Sequence, residues 1–349
     1  MSRRGLLFVL IVLTCVGGAG AYLLHAVRRT APDAAATQKP AGPPALLSPG
    51  ESPPAGPLVV FRRTSLDRYN GALGVSPLAN PTSPRFVERL RCERVDMSAG
   101  KGVCMVADRG VFTTYRAVLF DDAFSPRGEL PLAGVPSRVQ VAPDGRLAGT
   151  TVFVSGHSYS DGSFSTRSSI IDLETGKWLV EDLETFSVRR KGQAIQSPDF
   201  NFWGITFTRD GRTFYATLGT GGATLLVKGD VDARAMDVVD ESVECPSLSP
   251  DGRRVVFKQR SGGVAGPVTW RLWVLELDTG KRYPLAETRN VDDQAQWLDD
   301  QHVLYALPGG EGRTALMDEW ITPADGSGEP RLFLPEAYSA GVDRANRRS

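Results

Sequence analysis

The stretch that decides the fold is CPSLSPDGRRVVFKQR, residues 245–260, in which Ser-Pro-Asp-Gly-Arg separates two apolar runs. A tight hairpin turn favours Asp and Gly, because Asp bonds its own turn and Gly takes positive φ without strain. A calcium loop would need several carboxylates at alternating positions, and this stretch supplies only Asp251. The stretch therefore predicts two antiparallel strands joined by a structural turn.

The same pattern recurs along the chain. Further copies are VQVAPDGRLAGTTVF (139–153) and ITFTRDGRTFYATL (205–218), and weaker copies are AQWLDDQHVLYAL (295–307) and VDMSAGKGVCMVAD (95–108). A second turn of Thr-Gly type follows the first, as in WVLELDTGKRYPLAE (273–287). Each unit therefore reads as a four-stranded meander, and a period of roughly 45 residues is typical of a propeller.

The strands are apolar on both faces. In RLWVLEL (271–277), Leu272 and Val274 point to one side, while Trp273 and Leu275 point to the other. A sandwich strand usually leaves one face in water, whereas a propeller blade is covered by a neighbour on each side. The pattern therefore favours blades over a sandwich.

Counting the repeats predicts a closed ring. Five complete units lie at about 92–134, 135–185, 186–241, 242–288 and 291–335. Three strands precede them without a first strand, and AYSAGVDR (337–344) follows them without a successor. Adding the C-terminal strand to the N-terminal three completes a sixth blade and removes the open sheet edges. We therefore predict an all-β fold, a six-bladed β-propeller of four-stranded antiparallel blades over residues 58–343, followed by a tail at 345–349.

The repeat formed by SLSPDGRRVVFKQR and RLWVLELDTGKRYPLA resembles the TolB-like, WD40-like propeller repeat known as PD40. The stretch DFNFWGITFTRDGRTFYATL (199–218) is similar to actinobacterial membrane-anchored TolB-like proteins. The resemblance covers residues 58–343 and implies a non-enzymatic protein-interaction module in the cell envelope. Such a repeat is specific for fold but not for activity, since propellers host many functions. A membrane anchor would also depart from the soluble periplasmic form of TolB.

The N-terminal region predicts a membrane anchor. Residues 5–27 contain no Asp, Glu, Lys or Arg and are long enough to cross a hydrocarbon core of roughly 30 Å. We predict a transmembrane signal anchor there, with residues 1–4 cytoplasmic and the globular domain extracytoplasmic at the cell membrane. A signal peptide cleaved at Ala19-Gly20-Ala21 is the alternative. Residues 28–57 contain eight prolines and predict a disordered Pro/Ala-rich linker.

Composition and motifs argue against several functions. The chain has 40 basic and 40 acidic residues, so no overall positive charge points to nucleic acid. It has three histidines, of which His302 reads as a turn-flanking residue, and it contains no G-x-S-x-G, H-E-x-x-H or C-x-x-C motif. We therefore predict no catalytic residue, no metal site and no cofactor.

Candidate binding residues lie where the repeat is interrupted. His157 and Tyr159 belong to a polar insertion, VSGHSYSDGSFSTRSS (154–169), and Asn201 and Trp203 precede a strand expected to be the innermost of its blade. Binding residues lie in loops more often than in the strands that support them, which favours the 154–169 insertion. Innermost strands approach the central channel, which favours Asn201 and Trp203. The structural alternatives are a solvated hairpin extension and a Trp203 packed between blades.

Cys92 and Cys104 flank a predicted hairpin and are the preferred disulfide pair. One bridge and a free Cys245 suit an extracytoplasmic location, with the remaining cysteine in the membrane segment. A tight turn at 98–101 would place Cys104 opposite Val95. The bond therefore requires a bulge or a position outside the strand ladder.

The function that these patterns favour is binding. We predict a membrane-anchored, non-catalytic propeller that binds a protein or peptide partner in the cell envelope. One alternative is a small-molecule or glycan sensor that uses the 154–169 loop and Trp203. The other is a propeller hydrolase or lactonase-type enzyme, which would need carboxylates with perturbed pKa values at the channel mouth.

Overall fold

The computed structural model describes residues 44–48, 51–154, 165–262, 268–310 and 312–345. These residues form six sheets arranged as blades around a central channel. The innermost strand of each sheet contacts the innermost strand of the next. The predicted all-β fold of six blades built on four antiparallel strands is confirmed, and blade 4 carries two further strands.

Blades 1 to 3 contain the following strands. Blade 1 has β1 (Leu58–Arg63), β2 (Ala72–Pro77), β3 (Arg85–Arg91) and the C-terminal β26 (Ala337–Asp343). Blade 2 has β4 (Arg94–Ser98), β5 (Lys101–Arg109), β6 (Thr113–Phe120) and β7 (Pro126–Leu132). Blade 3 has β8 (Val135–Val141), β9 (Leu147–Val154), β10 (Ser165–Asp172) and β11 (Lys177–Val180).

Blades 4 to 6 complete the ring. Blade 4 has β12 (Ser187–Arg190), β13 (Gln193–Ile195), β14 (Asn201–Phe207), β15 (Thr213–Thr220), β16 (Ala223–Asp230) and β17 (Ala235–Glu241), after a 3₁₀ turn at Leu183–Thr185. Blade 5 has β18 (Glu244–Leu248), β19 (Arg254–Ser261), β20 (Thr269–Glu276) and β21 (Arg282–Pro284). Blade 6 has β22 (Gln296–Trp297), β23 (His302–Pro308), β24 (Met317–Pro323) and β25 (Arg331–Leu334).

The ring closes through its two chain ends. Strand β26 pairs antiparallel with β1, with Leu58 opposite Asp343, so blade 1 has the order β26-β1-β2-β3. The C-terminal strand is thus the innermost strand of the first blade. This pairing covers the edge of β1 that a linear array would leave exposed.

The core lies between blades rather than in one central mass. On β20, Leu272 and Val274 pack into the cluster between blades 5 and 6, while Leu275 and Trp273 pack into the cluster between blades 4 and 5. The alternation seen in the sequence therefore sends each face of the strand to a different neighbour. Because every junction is built in this way, removing one blade would expose the faces of two others.

Blade 4 differs from the prediction, which gave it four strands over 186–241. The chain first forms the hairpin β12–β13, and β12 then pairs parallel with β17 on the outer edge of the blade, giving six strands. Phe186 and Val188 bury this addition in the core shared with blade 3. Lys191 and Gly192 both have positive φ (52° and 77°), as a two-residue hairpin turn requires. The added hairpin makes this unit longer than the usual repeat of roughly 45 residues.

The propeller unit begins earlier than the predicted boundary at residue 58. Leu46 forms a parallel bridge with Phe86 of β3, and Leu47 donates its backbone N–H to the Phe86 carbonyl at 2.9 Å. Leu47 is 5% exposed and joins the core between blades 1 and 2. Burial of Leu47 and partial burial of Leu46 hold this part of the predicted linker against blade 1.

The predicted membrane segment, residues 5–27, lies outside the described residues, as do residues 28–43. Within the ranges that the structure describes, no helix has the length and apolar character needed to span a bilayer.

Cys92 and Cys104 form a disulfide with a Cα–Cα distance of 5.2 Å. Cys104 on β5 pairs in the ladder with Val95, as the hairpin register suggested. Cys92 lies before β4 begins, where its N–H bonds the carbonyl of Gly71 at 2.8 Å. The bridge therefore lies outside the ladder and ties the connection between blades 1 and 2 to β5.

Candidate binding site at the central channel

The first turns of the blades form a continuous ring at one mouth of the channel, which we call the turn side. Each turn contacts the corresponding part of the next blade. The six contacts are Ser98 Oγ to the Pro143 carbonyl (3.3 Å), the Asp144 carboxylate against Gly211, Arg209 Nε to the Pro250 carbonyl (2.7 Å), Asp251 N–H to Asp300 Oδ1 (2.8 Å), Arg344 Nη2 to the Trp297 carbonyl (2.7 Å) and Gly100 N–H to Asp343 Oδ2 (3.3 Å). The repeated turns therefore fasten neighbouring blades together.

Asp251 has a structural role in this ring. Its Oδ1 accepts the backbone N–H of Arg253 at 3.0 Å and contacts the hydroxyl of Ser249. Gly252 follows with φ +75°, in the left-handed region that favours glycine. The Asp251 carboxylate thus stabilises its own turn, while the backbone N–H of Asp251 bonds to blade 6.

Below the turns, the inner strands contribute two stacked layers to the channel, one residue per blade in each layer. The upper layer, the apolar ring, consists of Met97, Val141, Phe207, Leu248, Trp297 and Val342. The lower layer, the polar ring, consists of Asp96, Gln140, Thr206, Ser247, Gln296 and Gly341, each immediately preceding its apolar neighbour. The repeat fixes both layers, because the same two positions precede every first turn.

The polar ring also joins blades. Asp96 Oδ2 accepts the N–H of Val141 at 2.6 Å, and Gln140 Oε1 accepts the N–H of Phe207 at 3.1 Å. Thr206 Oγ continues the series by accepting the N–H of Leu248 at 3.0 Å. At three successive junctions a polar-ring side chain therefore satisfies an inner-strand amide that would otherwise be buried without a partner.

Together the layers make a funnel at the turn side. The cavity has a volume of about 380 Å³ and is lined by all six residues of the apolar ring and by Asp96, Gln140, Thr206 and Gln296 of the polar ring. Its rim includes Ser98, Pro143 and Arg209. Such a cavity, apolar on its walls with a few polar groups at its floor, is typical of a binding site.

A buried ion-pair cluster lies deeper in the channel. Asp293 Oδ1 accepts a hydrogen bond from Arg94 at 3.1 Å and forms an ion pair with Arg138 Nη1 at 3.2 Å. The Arg94 guanidinium lies 4.2 Å from the centre of the Tyr338 ring. Burial alone would lower the pKa of Arg138, but Asp293 and nearby anionic groups raise it above its ordinary value. We call Arg94, Arg138 and Asp293 the plug. Only about 40 Å³ of space remains beside it.

Two carboxyl groups in the channel, those of Asp96 and Glu319, have pKa values raised above their ordinary range. Burial raises the pKa of Asp96 to about 7, against the hydrogen bonds from the Val141 and Met97 amides and against the charge of Arg344. Burial likewise raises the pKa of Glu319 to about 8, with the nearby Asp293 charge acting in the same direction. Asp96 is 4% exposed and Glu319 2% exposed, so neither carboxyl is presented on an open surface.

The candidate residues from the sequence lie elsewhere. Asn201 and Trp203 belong to β14 itself, rather than preceding it, and each is 8% exposed. Asn201 Oδ1 accepts the N–H of Thr166 in blade 3 at 3.0 Å, and a Cβ added to Gly219 would lie 2.8 Å from the Trp203 ring. Asn201 therefore packs at the junction between blades 3 and 4, and Trp203 packs over Gly219 of its own blade. His157 and Tyr159 lie outside the described residues.

The described residues bring no catalytic constellation together. No group of three or more His, Cys, Asp or Glu residues among them could hold a metal ion. His302 Nδ1 lies 3.0 Å from Asp299 Oδ1 across the first turn of blade 6. This contact agrees with the turn-flanking position that the sequence predicted for His302.

Sequence reasoning missed Asp96 and the plug. A signal for Asp96 was present, because aligning the repeats on their first turns places Asp96 where the other blades have Gln140, Thr206, Ser247 and Gln296. It is the one ionisable residue of the polar ring. For the plug the signal was partial, because Arg94 and Arg138 each lie two residues before their polar-ring residue. Asp293 had no such signal, since it lies before a two-residue strand in a weak copy of the repeat.

No family model matches the chain, and no curated protein matches it. Solved structures do match in fold. TolB from Acinetobacter baumannii superposes with a TM-score of 0.54 at 16% identity, over 82% of this chain and 66% of the TolB chain. A chain of the nidogen/laminin complex superposes with a TM-score of 0.54 at 10% identity, over 84% of this chain and 100% of its own length.

The β-propeller domain of the Trilobed protease from Pyrococcus furiosus also matches, with a TM-score of 0.40 at 13% identity, over 69% of this chain and 70% of that domain. The chain has the six-bladed fold of TolB-like propellers, as its repeat suggested. At these identities the similarity shows the fold alone, and propellers of one fold serve different functions.

Proposed function

We propose that this protein is a non-catalytic binding protein that holds a protein or peptide partner at the turn side of its propeller. We further propose that residues 5–27 anchor it in the cell membrane and that the propeller lies outside the cytoplasm, in the cell envelope. The observation that carries the binding proposal is the funnel, a cavity with apolar walls that narrows towards the ion-paired plug.

The chemistry of the channel supports binding over catalysis. A catalytic acid or base must reach its substrate within hydrogen-bond distance. Of the two channel carboxyl groups with raised pKa values, Glu319 lines only the small space beside the plug, whereas Asp96 lines the funnel. Among the described residues, Asp96 therefore has no second carboxyl of raised pKa beside it in the funnel with which to form an acid–base pair. The cations Arg94 and Arg138 are already paired with Asp293. The funnel presents an apolar wall to a ligand, and burial of apolar surface provides binding affinity without catalysis.

The fold comparison supports a protein partner. The nidogen/laminin structure, which shares this fold, is of a complex, and TolB shares the fold at a similar score. The location is supported by the uncharged run at 5–27 and by the Cys92–Cys104 disulfide. Disulfides of this kind persist in oxidising compartments and are rare in the cytosol.

Site-specific photo-crosslinking in living cells tests the binding face. A photoreactive amino acid replaces Pro143 at the funnel rim, and in a matched variant it replaces Phe112, which is 84% exposed in the loop between β5 and β6 at the opposite end of blade 2. The rim variant is expected to give a discrete protein adduct that the Phe112 variant lacks. Adducts from Phe112 alone, or no protein adduct from the rim, would refute the proposal.

The same experiment separates the alternatives. A glycan or small-molecule sensor would leave the rim variant without protein adducts, while adding its ligand would raise the melting temperature of the purified protein. A hydrolase or lactonase would give turnover that is lost in the Asp96→Asn and Glu319→Gln variants. These outcomes differ from a protein adduct at Pro143.

Protease added from outside tests the location. In intact cells with a permeable outer layer, the propeller is expected to be degraded while a cytoplasmic marker survives. The protein should also remain with the membrane fraction in high salt, because a spanning segment is held by apolar burial and not by charge. A protected propeller, or a protein released by salt, would contradict the proposed location or anchor.

A further inference from the structure

The floor of the funnel contains a carboxylate oxygen that has no hydrogen-bond partner. Asp96 Oδ2 accepts the Val141 amide, but Asp96 Oδ1 is buried and has no partner among the described residues. This oxygen lies against β26, where a Cβ added to Gly341 would be only 2.2 Å away. A buried acceptor left unpaired costs free energy, so this position favours a donor that comes from outside the chain.

The amides of Val141 and Met97 donate to the Asp96 carboxylate, and the charged groups around it leave Oδ1 without a hydrogen-bond partner among the described residues. Arg344 is the cation whose charge acts most on Asp96, but its Nη2 donates to the carbonyls of Trp297 (2.7 Å) and Leu298 (3.1 Å). Asp343 also lies close, and its negative charge acts on Asp96. Its carboxylate accepts hydrogen bonds from the amides of Gly100 and Ala345. The polar ring is otherwise uncharged.

The apolar ring surrounds the path from the rim of the funnel to Asp96. Asp96 lines both the funnel and the small space beside the plug. Two residues of extended strand separate it from Ser98 at the rim, a depth of roughly 7 Å at strand spacing. A ligand that reaches Asp96 must therefore carry its polar group on an apolar stem of about that length, with the stem against Met97, Val141 and Val342.

We infer that the funnel receives a primary ammonium group on an unbranched alkyl stem, in the form of a lysine side chain presented by the bound partner, with Asp96 as its acceptor. This inference rests on the proposed function and names the chemistry of the partner. The four-carbon stem of lysine spans the apolar ring, and its three N–H donors can meet Asp96 Oδ1 and a second lone pair on Thr206 Oγ or Gln140 Oε1.

Other charged groups fit this floor less well. The guanidinium of arginine favours two parallel bonds to one carboxylate, but Asp96 Oδ2 already accepts the Val141 amide. An anion would face Asp96 across a ring that contains no cation. A divalent metal ion needs several hard oxygen ligands, and no group of three His, Cys, Asp or Glu residues among those described could provide them.

Binding of a blocked pentapeptide to the purified full-length protein tests the inference. One peptide carries a central lysine, and its twin carries Nε-acetyllysine, which keeps the stem and removes the charge. A charged hydrogen bond in a buried site supports a preference of roughly tenfold for the lysine peptide. The two Kd values are measured by calorimetry or by NMR. Equal Kd values would overturn the inference.

Two variants locate the effect. Asp96→Asn keeps an acceptor for the Val141 amide but removes the charge, and it is expected to reduce the preference to less than about twofold. Asp278→Asn changes an exposed carboxylate in the second turn of blade 5, outside the funnel lining, and should leave the preference intact. Loss of the preference in Asp278→Asn, or its survival in Asp96→Asn, would place the amine elsewhere and overturn the inference.

A measurement on the unaltered protein covers the case in which Asp96→Asn does not fold. n-Butylamine, n-butanol and butyrate share a stem length and differ in charge, and only n-butylamine is expected to compete with the lysine peptide. Competition by butyrate or equally by n-butanol would overturn the inference. An n-butylamine affinity equal to that of the peptide would support the amine site and assign it to a free small amine.

The outcomes remain distinct from those of the proposed function. If the lysine and acetyllysine peptides bind equally while the Pro143 crosslink persists, the partner is held at the turn side without an amine, and only this inference fails.

Discussion

The two ends of the propeller are built in different ways. On the turn side, five short turns and the end of β26 contact one another and surround a funnel whose layers contain one residue from each blade. On the opposite end, which we call the loop side, the second and third strands of the blades are joined by connections of unequal length. Three large apolar side chains there are highly exposed, namely Leu66 (78%), Val111 (95%) and Phe112 (84%).

The difference shows where specificity can arise in a repeated fold. The turns contact their neighbours although their sequences differ, and the channel layers beneath them also vary from blade to blade. Asp96 is such a variation, an ionisable residue in a ring that is otherwise uncharged. The loop side is free to vary because its connections leave the blades.

Removing the C-terminal strand should have the largest effect, because it opens the ring on which both ends depend. Deletion of residues 337–349 removes β26, in which Ala337, Val342 and Asp343 are almost fully buried, and exposes the edge of β1. We expect aggregation and the loss of a cooperative thermal transition. Deletion of residues 346–349 alone is the control and should leave the transition in place. A soluble, cooperatively melting protein without β26 would show that closure is not essential.

The disulfide should come next, since it fastens the connection between blades 1 and 2 where no repeated turn does so. Replacing Cys92 and Cys104 by serine is expected to lower the free energy of unfolding by about 3 kcal/mol, measured with denaturant under oxidising conditions. Cys245→Ala keeps the bridge and serves as the matched control, with a smaller loss. Wild-type stability in the double variant would mean that strand pairing alone holds this connection.

Asp96 should make stability depend on pH. Its pKa of about 7 in the folded state lies above that of an unfolded aspartate, roughly 3.9. The folded protein therefore holds this proton more tightly, and stability falls as pH rises from about 4 to 7.

Between pH 5.5 and pH 8, this one group should cost the folded state about 2 kcal/mol. Wild-type protein should lose that much more stability over the interval than Asp96→Asn, whereas Asp144→Asn should follow the wild type. Equal slopes for wild type and Asp96→Asn in denaturant titrations would show that Asp96 does not titrate in this range. Glu319, whose pKa is also raised, contributes a further slope that all three proteins share.

The smallest effect is expected on the loop side. Replacing Val111 and Phe112 together by serine should change the free energy of unfolding by less than about 0.5 kcal/mol, because neither side chain is packed. The crosslink from Pro143 should also persist. Its loss in this variant would show that the partner reaches the loop side as well.

The repeat in the sequence was sufficient to predict the blades and their closure. Each blade has the same two turns, and the strand at 337–344 had no other place to pair, so the joining of β26 to β1 could be inferred. The 98–101 turn fixes the register of Cys104, so the sequence required either a bulge or a position outside the ladder for the disulfide, and the structure has the latter. These features depend on local turn chemistry and strand period, which a single sequence carries.

The remainder depends on contacts between distant parts of the chain. The β12–β13 hairpin pairs with β17 some 45 residues later, and the docking of Leu47 depends on a pocket formed by other blades. Trp203 was expected near the channel because its strand is innermost, but on that strand the side chain turns towards Gly219. Burial of this kind is set by packing, which a repeat pattern does not reveal.

Hydrogen exchange of the full-length protein, with and without the blocked lysine pentapeptide at saturation, tests the account most directly. The amides of Val141, Phe207 and Leu248 donate to the polar ring beneath the funnel and report its occupation. We predict slower exchange at these amides with the lysine peptide, little change with the acetyllysine twin, and no change in the loop between β5 and β6. Slower exchange confined to the loop side, or the same pattern with both peptides, would contradict it.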